Sequence, residues 1–124
     1  MLPLSYREAF DNMTVVRLAK ESDLSRILEL YRELSVVTTE VERSLNTSPD
    51  TYRKVFAEIS NNPKRELLVA EYDGGVVGTV ALFIIANLSH GGTPYALVEN
   101  LVVNHEYRRK GIGRKLMEYT IARA

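Results

Sequence analysis

The 124-residue chain contains no cysteine and only two histidines. The absence of cysteine excludes disulfide bonds, a thiolate nucleophile and any metal site built on thiolates. The two histidines, His90 and His105, do not form a metal-ligand spacing with nearby acidic residues, so we expect no bound metal.

The chain also lacks an excess of charge and a long apolar run. Its 16 basic residues balance 16 acidic residues, which gives no general reason to expect nucleic acid or an anionic membrane as partner. No apolar stretch approaches the length of a membrane span. The first residues, Met1 to Leu4, are too short and lack the basic start of a signal peptide. We therefore expect a cytoplasmic protein with no nucleic-acid or membrane partner.

The composition is that of a globular protein. Apolar residues make up 45% of the chain, and its length fits one domain with a real core. We predict an N-terminal extension of uncertain order at residues 1–13 and a single domain at residues 14–124.

Apolar spacing within the domain predicts three helices and four strands. Ser22 is expected to cap the first helix, and Pro49 suits the first turn of the second. Asp-Gly between two apolar runs is typical of a β-hairpin, in which Gly78 marks a bulge or a close backbone approach. The predicted elements, in chain order, are a strand at 14–18, helices starting at 23 and 49, strands at 66–72, 76–85 and 95–103, and a helix from about 111 to the chain end.

The segment from Arg108 to Gly113 directly follows the apolar run 101–103, so a strand leads through a basic turn into a helix. The first amides of a helix lack intrahelical partners, and the helix dipole adds positive charge at the same end. Such an end binds phosphate groups, and glycine lets a ligand approach the backbone closely. We interpret this segment as a pyrophosphate cradle, supplemented by five positive charges: Arg108, Arg109, Lys110, Arg114 and Lys115. The P-loop string is absent, and Leu116 stands where the dinucleotide fingerprint needs its third glycine.

The order Arg108-x-x-Gly111-x-Gly113 fits the pattern Gln/Arg-x-x-Gly-x-Gly/Ala, the acetyl-coenzyme A signature of the GNAT N-acetyltransferase superfamily. The wider segment from Val98 to Met117 also resembles that family, and the resemblance covers roughly residues 14–124. It implies an α/β fold with a mixed sheet flanked by helices. The predicted element order matches the front portion of that fold.

The resemblance implies acetyl-CoA as co-substrate and no metal. Backbone amides from Arg109 to Arg114 would hold the pyrophosphate, and the backbone of Leu101 and Val103 would pair with the pantetheine arm. An amide near Leu101 or Val102 would polarise the thioester carbonyl. The residues expected to bind the cofactor are Leu101, Val102, Val103, Arg108, Arg109, Lys110, Gly111, Ile112, Gly113 and Arg114.

The acceptor implied by the resemblance is the primary amine of a small molecule, which attacks the thioester directly. Glu99 is the candidate catalytic base, since family members place a glutamate on this strand; an exposed surface carboxylate is the alternative. Asn100 is expected on the opposite face, because side chains alternate along a strand. A loop places His90 where it could overhang the acceptor, or where it is simply solvated. Tyr107 is expected to anchor the turn by packing.

The resemblance stops near Ala124, before the part of the family fold that builds the other wall of the coenzyme cleft. No residue here matches the tyrosine that often protonates the departing thiolate. Three explanations remain open: a truncated enzyme sequence, which we favour, completion by a second chain such as a homodimer partner, or a remnant. The alternative function is a non-catalytic CoA-binding or assembly module. A nucleic-acid binder rests only on the basic cluster.

Overall fold

The computed structural model describes residues 13–34 and 47–124. Apart from Met13, the predicted N-terminal extension lies outside the described residues. Each predicted strand and helix of the domain is present, and the predicted order is confirmed. The elements are β1 (Thr14–Leu18), α1 (Leu24–Tyr31), α2 (Pro49–Ser60), β2 (Arg65–Tyr72), β3 (Gly75–Ile85), β4 (Tyr95–Val103) and α3 (Ile112–Arg123), with 3₁₀ turns at Glu21–Asp23 and His105–Tyr107.

The four strands form one sheet in the order β1-β2-β3-β4, and every neighbouring pair is antiparallel. This arrangement of helices on a sheet confirms the predicted α/β class. No helix in the described ranges is long and apolar enough to cross a membrane. The same ranges contain no group of three or more histidine, aspartate or glutamate side chains placed to hold a metal ion.

Both faces of the sheet are covered, because successive residues of its central strands point to opposite sides. Leu68 and Val80 pack with Ile112 and Leu116 of α3 on one face. On the other face lies a second cluster, to which α1 and α2 contribute. Its buried members are Ile27, Phe56, Leu67, Val69 and Ala81. Burying each large apolar side chain contributes about 1.5–3 kcal/mol to the free energy of unfolding. The two clusters therefore hold the helices firmly on the sheet, and the α3 cluster places the start of that helix beside the end of β4.

A buried carboxylate, rather than the predicted Ser22, closes the turn before α1. Asp23 Oδ2 accepts a hydrogen bond from the Lys20 backbone N–H at 2.7 Å. The Asp23 carboxylate also receives two hydrogen bonds from the Arg17 guanidinium, at 2.7 and 3.0 Å. Hydrogen bonding from Arg17 holds the pKa of Asp23 below its ordinary value. The ion pair therefore stabilises the fold at neutral pH, and this contribution is lost as the pH falls through the lowered pKa.

Both features predicted for Gly78 are present. Ala70 pairs with Gly78 and Glu71 pairs with Val76, so Val77 is the extra residue of a β-bulge beside the glycine. A Cβ at position 78 would lie 3.1 Å from Leu116 Cδ1 and 3.2 Å from the Val102 carbonyl oxygen. Since β3, β4 and α3 meet at this point, the absence of a side chain here sets their spacing.

We expect Gly78→Ala to lower the free energy of unfolding by about 1–3 kcal/mol, the usual cost of overpacking a close contact. The matched control is Gly75→Ala on the same strand, where the nearest atom to a new Cβ is the Tyr72 carbonyl oxygen at 3.8 Å. The control should be neutral or slightly stabilising, because alanine loses less backbone entropy than glycine. Urea denaturation of both variants measures the difference. Equal effects of the two substitutions would contradict the close approach.

Candidate functional site

A bulge interrupts β4 at the candidate catalytic segment. Glu99 pairs with Ala81 and Val102 pairs with Thr79, so Asn100 and Leu101 together lie opposite one residue of β3. Asn100 has a left-handed backbone with φ of 56°. The simple alternation expected for Glu99 and Asn100 therefore does not continue through this point. With one residue added, Glu99 and Val102 fall on the same face of the sheet, although they are three positions apart.

The face that carries Glu99 is the face covered by α1 and α2. Its cross-strand partner Ala81 is buried in the cluster formed with those two helices. Glu99 itself is exposed because β4 lies at the margin of the sheet. The carboxylate is thus open to solvent beside the bulge, where a reacting amine could reach it.

Within the described residues β4 pairs only with β3, which leaves its other edge unpaired. An unpaired strand edge presents backbone N–H and C=O groups to an extended ligand or a further strand. Leu101 is 40% exposed, whereas Val102 is 5% exposed and belongs to the core. Leu101, Val102 and Val103 therefore lie where their backbone can meet a ligand that runs along this edge.

The cradle predicted at 108–113 has the backbone geometry of an anion site. Arg109 and Gly111 both have left-handed backbones, with φ of 65° and 84°. These two left-handed residues change the direction of the chain between the 3₁₀ turn and α3, which begins at Ile112. No side chain in the described part of the chain caps this helix end. The first amides of α3 thus open onto a cavity of about 300 Å³, lined by residues that include Val103, Arg109, Gly111, Gly113 and Arg114.

The five predicted positive charges do not all face this cavity. Arg108, Arg109 and Arg114 line it, whereas Lys110 and Lys115 are not among the lining residues. Arg108 Nε donates to the Val103 carbonyl oxygen at 3.0 Å, and Arg114 Nε lies 3.7 Å from Glu118 Oε1. Lys115 Nζ donates to the Thr14 carbonyl oxygen on β1, outside the cradle. The candidate site therefore combines oriented backbone amides with three guanidinium side chains.

The packing predicted for Tyr107 is confirmed. Its ring lies 5.7 Å from the ring of Tyr72, centroid to centroid, and packs against the core cluster under α3. This contact ties the turn before the cradle to β2. His90 lies in the short turn Ser89–Gly92, where its backbone φ is 52°. Its side chain is exposed to solvent, and a role at the acceptor stays a prediction.

One residue that sequence reasoning missed is Glu33, two positions beyond the end of α1. Its carboxylate accepts hydrogen bonds from the His105 backbone N–H at 3.0 Å and from Asn104 Nδ2 at 3.4 Å. It also contacts His105 Nδ1 at 3.1 Å and an Arg108 guanidinium nitrogen at 3.5 Å. These partners lie more than 70 residues away in sequence, so no local spacing could have revealed them.

The sequence matches the acetyltransferase (GNAT) family over residues 24–124. A Bacillus subtilis (strain 168) protein named putative ribosomal protein bS18-alanine N-acetyltransferase is 29% identical over 82 residues, which are 66% of this chain and 50% of that protein. The chain therefore spans about half the length of that relative.

The solved structures that are similar to this fold include the following two. A transcriptional regulator from Bacillus halodurans C-125 superimposes with a TM-score of 0.79 and 28% identity, covering 90% of this chain and 73% of that chain. Glucosamine-6-phosphate N-acetyltransferase from Arabidopsis thaliana superimposes with a TM-score of 0.71 and 20% identity, covering 89% and 73%. The second likeness concerns the fold alone.

The two cradle glycines should respond oppositely to alanine. Gly111→Ala places a Cβ on a left-handed backbone, which costs about 1–2 kcal/mol. Gly113→Ala lies inside α3 with its nearest outside neighbour, Val103 Cγ2, at 3.7 Å, and alanine favours a helix by up to about 1 kcal/mol. We therefore expect a lower melting temperature for Gly111→Ala and an equal or higher one for Gly113→Ala. A lowered melting temperature for both would contradict the assigned backbone.

Proposed function

The chain belongs to the GNAT acetyltransferase family, and on that premise we propose that it is an N-acetyltransferase that transfers an acetyl group from acetyl-CoA to the primary amine of a small molecule. One observation carries this proposal: among the described residues, a bulged strand with one unpaired edge leads through a short turn into a helix start that has no side-chain cap and whose backbone is shaped by Arg109 and Gly111. The strand edge suits an extended arm, and the helix start suits a pyrophosphate.

The residues present fit acetyl-CoA. Gly113 lines the cavity at the helix start, and an added Cβ would meet only Val103 Cγ2, at 3.7 Å, so both residues that the signature allows at this position, glycine and alanine, leave room there. We propose that amides from Arg109 to Arg114, together with the charges of Arg108, Arg109 and Arg114, hold the pyrophosphate. The backbone of Leu101, Val102 and Val103 would bind the pantetheine arm and place the thioester at the bulge. Acetyl-CoA supplies the activated acetyl group.

Glu99 is proposed as the general base. Its exposed carboxylate would take a proton from the acceptor ammonium, directly or through one water, and so leave a neutral amine. The amine nitrogen then forms a bond to the thioester carbonyl carbon while a backbone amide at the bulge stabilises the charge on oxygen. The carbon–sulfur bond breaks, the thiolate takes up a proton, and the surplus amine proton leaves to solvent. We assign no residue as the acid.

The acceptor class has a second candidate. The Bacillus subtilis relative is named for the alanine of a ribosomal protein, which favours a protein amine over a small-molecule amine. We propose the small-molecule class first, because Glu99 and the bulge lie at the open margin of the sheet. A protein acceptor and a CoA-binding role without transfer are outcomes that the experiments below separate. Cytoplasmic location and a homodimer stay predictions.

We expect acetyl-CoA to raise the melting temperature of the wild-type chain. A ligand at one hundred times its dissociation constant adds about 2.7 kcal/mol of apparent stability. Gly113→Glu places a carboxylate at the helix start that would face the pyrophosphate, and it is expected to lose most of this shift through charge repulsion and obstruction of the cradle. Gly113→Ala is the matched control and should keep the shift, because the signature allows alanine at this position. Differential scanning fluorimetry with and without acetyl-CoA measures the shift for each protein. No shift in the wild type, or an undiminished shift in Gly113→Glu, would count against the cradle.

We expect Glu99→Gln to reduce turnover by about 10²–10³-fold near neutral pH without changing acetyl-CoA binding, because glutamine is isosteric but cannot take a proton. The assay follows free thiol release with a panel of primary amines and a peptide bearing an N-terminal alanine. Glu58→Gln, on an exposed site of α2, is the matched control. Unchanged turnover in Glu99→Gln would remove this residue from the mechanism. Binding without turnover of any amine would favour the non-catalytic role.

A further inference from the structure

We propose that Glu33 is a positioning residue for the CoA-binding cradle, an inference that rests on the function proposed above. Glu33 lies in the turn that ends α1, and its side chain is 22% exposed. Its two carboxylate oxygens meet donors from three residues of one segment: Asn104, His105 and Arg108. That segment is the whole link between the end of β4 and the cradle.

The link is held at its other side by backbone hydrogen bonds and by the Tyr107 ring, which packs on Tyr72. The Asn104 N–H donates to the Val77 carbonyl oxygen and the Tyr107 N–H donates to the Asn104 carbonyl oxygen, both at 2.8 Å. Asn104 Oδ1 accepts from the Glu106 N–H at 3.0 Å, which starts the 3₁₀ turn. These bonds fix the shape of the turn. Glu33 adds the bonds that fix its place against α1, a separate element of the fold.

Arg108 connects this carboxylate to the ligand-facing strand. Its Nε donates to the Val103 carbonyl oxygen, while another guanidinium nitrogen lies 3.5 Å from Glu33 Oε1. Charge-assisted hydrogen bonds of this kind are stronger than neutral ones. Without Glu33, Arg108 would lose its anionic partner and the link would lose its contact with α1. The left-handed turn at Arg109 would then be ordered only when the ligand binds, and part of the binding free energy would be spent on that ordering.

The function of Glu33 is therefore to hold the cradle amides in the ligand-binding arrangement before the ligand arrives. It touches no reacting atom, so its removal should change the dissociation constant for CoA rather than the chemical step. A purely structural role would differ: reversible unfolding weakens apparent binding only in proportion to the fraction of chains that is unfolded, so a tenfold loss would need a chain that is about nine-tenths unfolded without ligand. Isothermal titration with CoA measures the dissociation constant, and urea denaturation without ligand measures the folded fraction. Neither measurement requires a known acceptor.

We expect Glu33→Ala to weaken CoA binding by about tenfold at unchanged stoichiometry, the order of effect produced by losing charge-assisted hydrogen bonds. Glu33→Gln retains an acceptor oxygen without the charge and should lie between wild type and Glu33→Ala. The matched control is Glu29→Ala on α1, whose carboxylate pairs with Arg26 and contacts nothing in the link. Its dissociation constant should equal that of the wild type.

A second readout needs no ligand. Hydrogen exchange of the Glu106 and Tyr107 amides, which are hydrogen-bonded within the link, should be faster in ligand-free Glu33→Ala and Glu33→Gln than in wild type and Glu29→Ala, while the amides of β2 and β3 keep their protection. Equal or tighter CoA binding by Glu33→Ala, or unchanged exchange at these two amides, would overturn the positioning role alone. Failure of the wild-type chain to bind CoA would overturn the proposed function and this inference with it.

Discussion

The contact among β3, β4 and α3 at Gly78 determines where the candidate site can form. Because residue 78 has no side chain, the Val102 carbonyl and the Leu116 side chain both approach the β3 backbone closely. This approach places the end of β4 directly beside the start of α3. The edge of the strand and the helix amides can then face one ligand. A larger residue at position 78 would push the edge of β4 and the start of α3 apart, and the proposed ligand needs both.

Two irregularities in regular structure shape the candidate site. The bulge at Asn100 and Leu101 shifts the phase of β4, so Glu99 and Val102 share a face instead of alternating. The left-handed residues Arg109 and Gly111 stop the chain from continuing smoothly into α3 and leave its first amides uncapped. In a regular strand and a side-chain-capped helix, backbone hydrogen bonds would be made within the protein. The candidate site consists of the backbone N–H and C=O groups that the described fold leaves without such bonds at one edge.

The sequence predicted the elements well because each carries a strong local signal. Apolar spacing defined α1, α2 and α3, and Asp73-Gly74 marked the hairpin between β2 and β3. Gly78 was also predicted correctly, since a glycine inside a strand has few other uses. The predicted cap at Ser22 was wrong because a neighbouring residue takes that place. Asp23 closes the turn before α1, since Arg17 and Lys20 both donate hydrogen bonds to its carboxylate.

The parts of the site that could not be predicted depend on contacts between distant segments. The residues around Asn100 carry no local signal for a bulge. The extra residue is recognised only from the way in which β4 pairs with β3. Similarly, the sequence does not show that Arg108 donates to the Val103 carbonyl and lies near Glu33, although it still lines the cavity together with Arg109 and Arg114. Of the five predicted charges, Lys110 and Lys115 are not among the lining residues, and Lys115 is directed to β1. Under the proposed function, recognition of an anion depends on the orientation of a few backbone amides as well as on these guanidinium groups. The link affects both, because it contains Arg108 and leads into the helix start. The rigidity of the link is therefore as important to the proposed site as its charge.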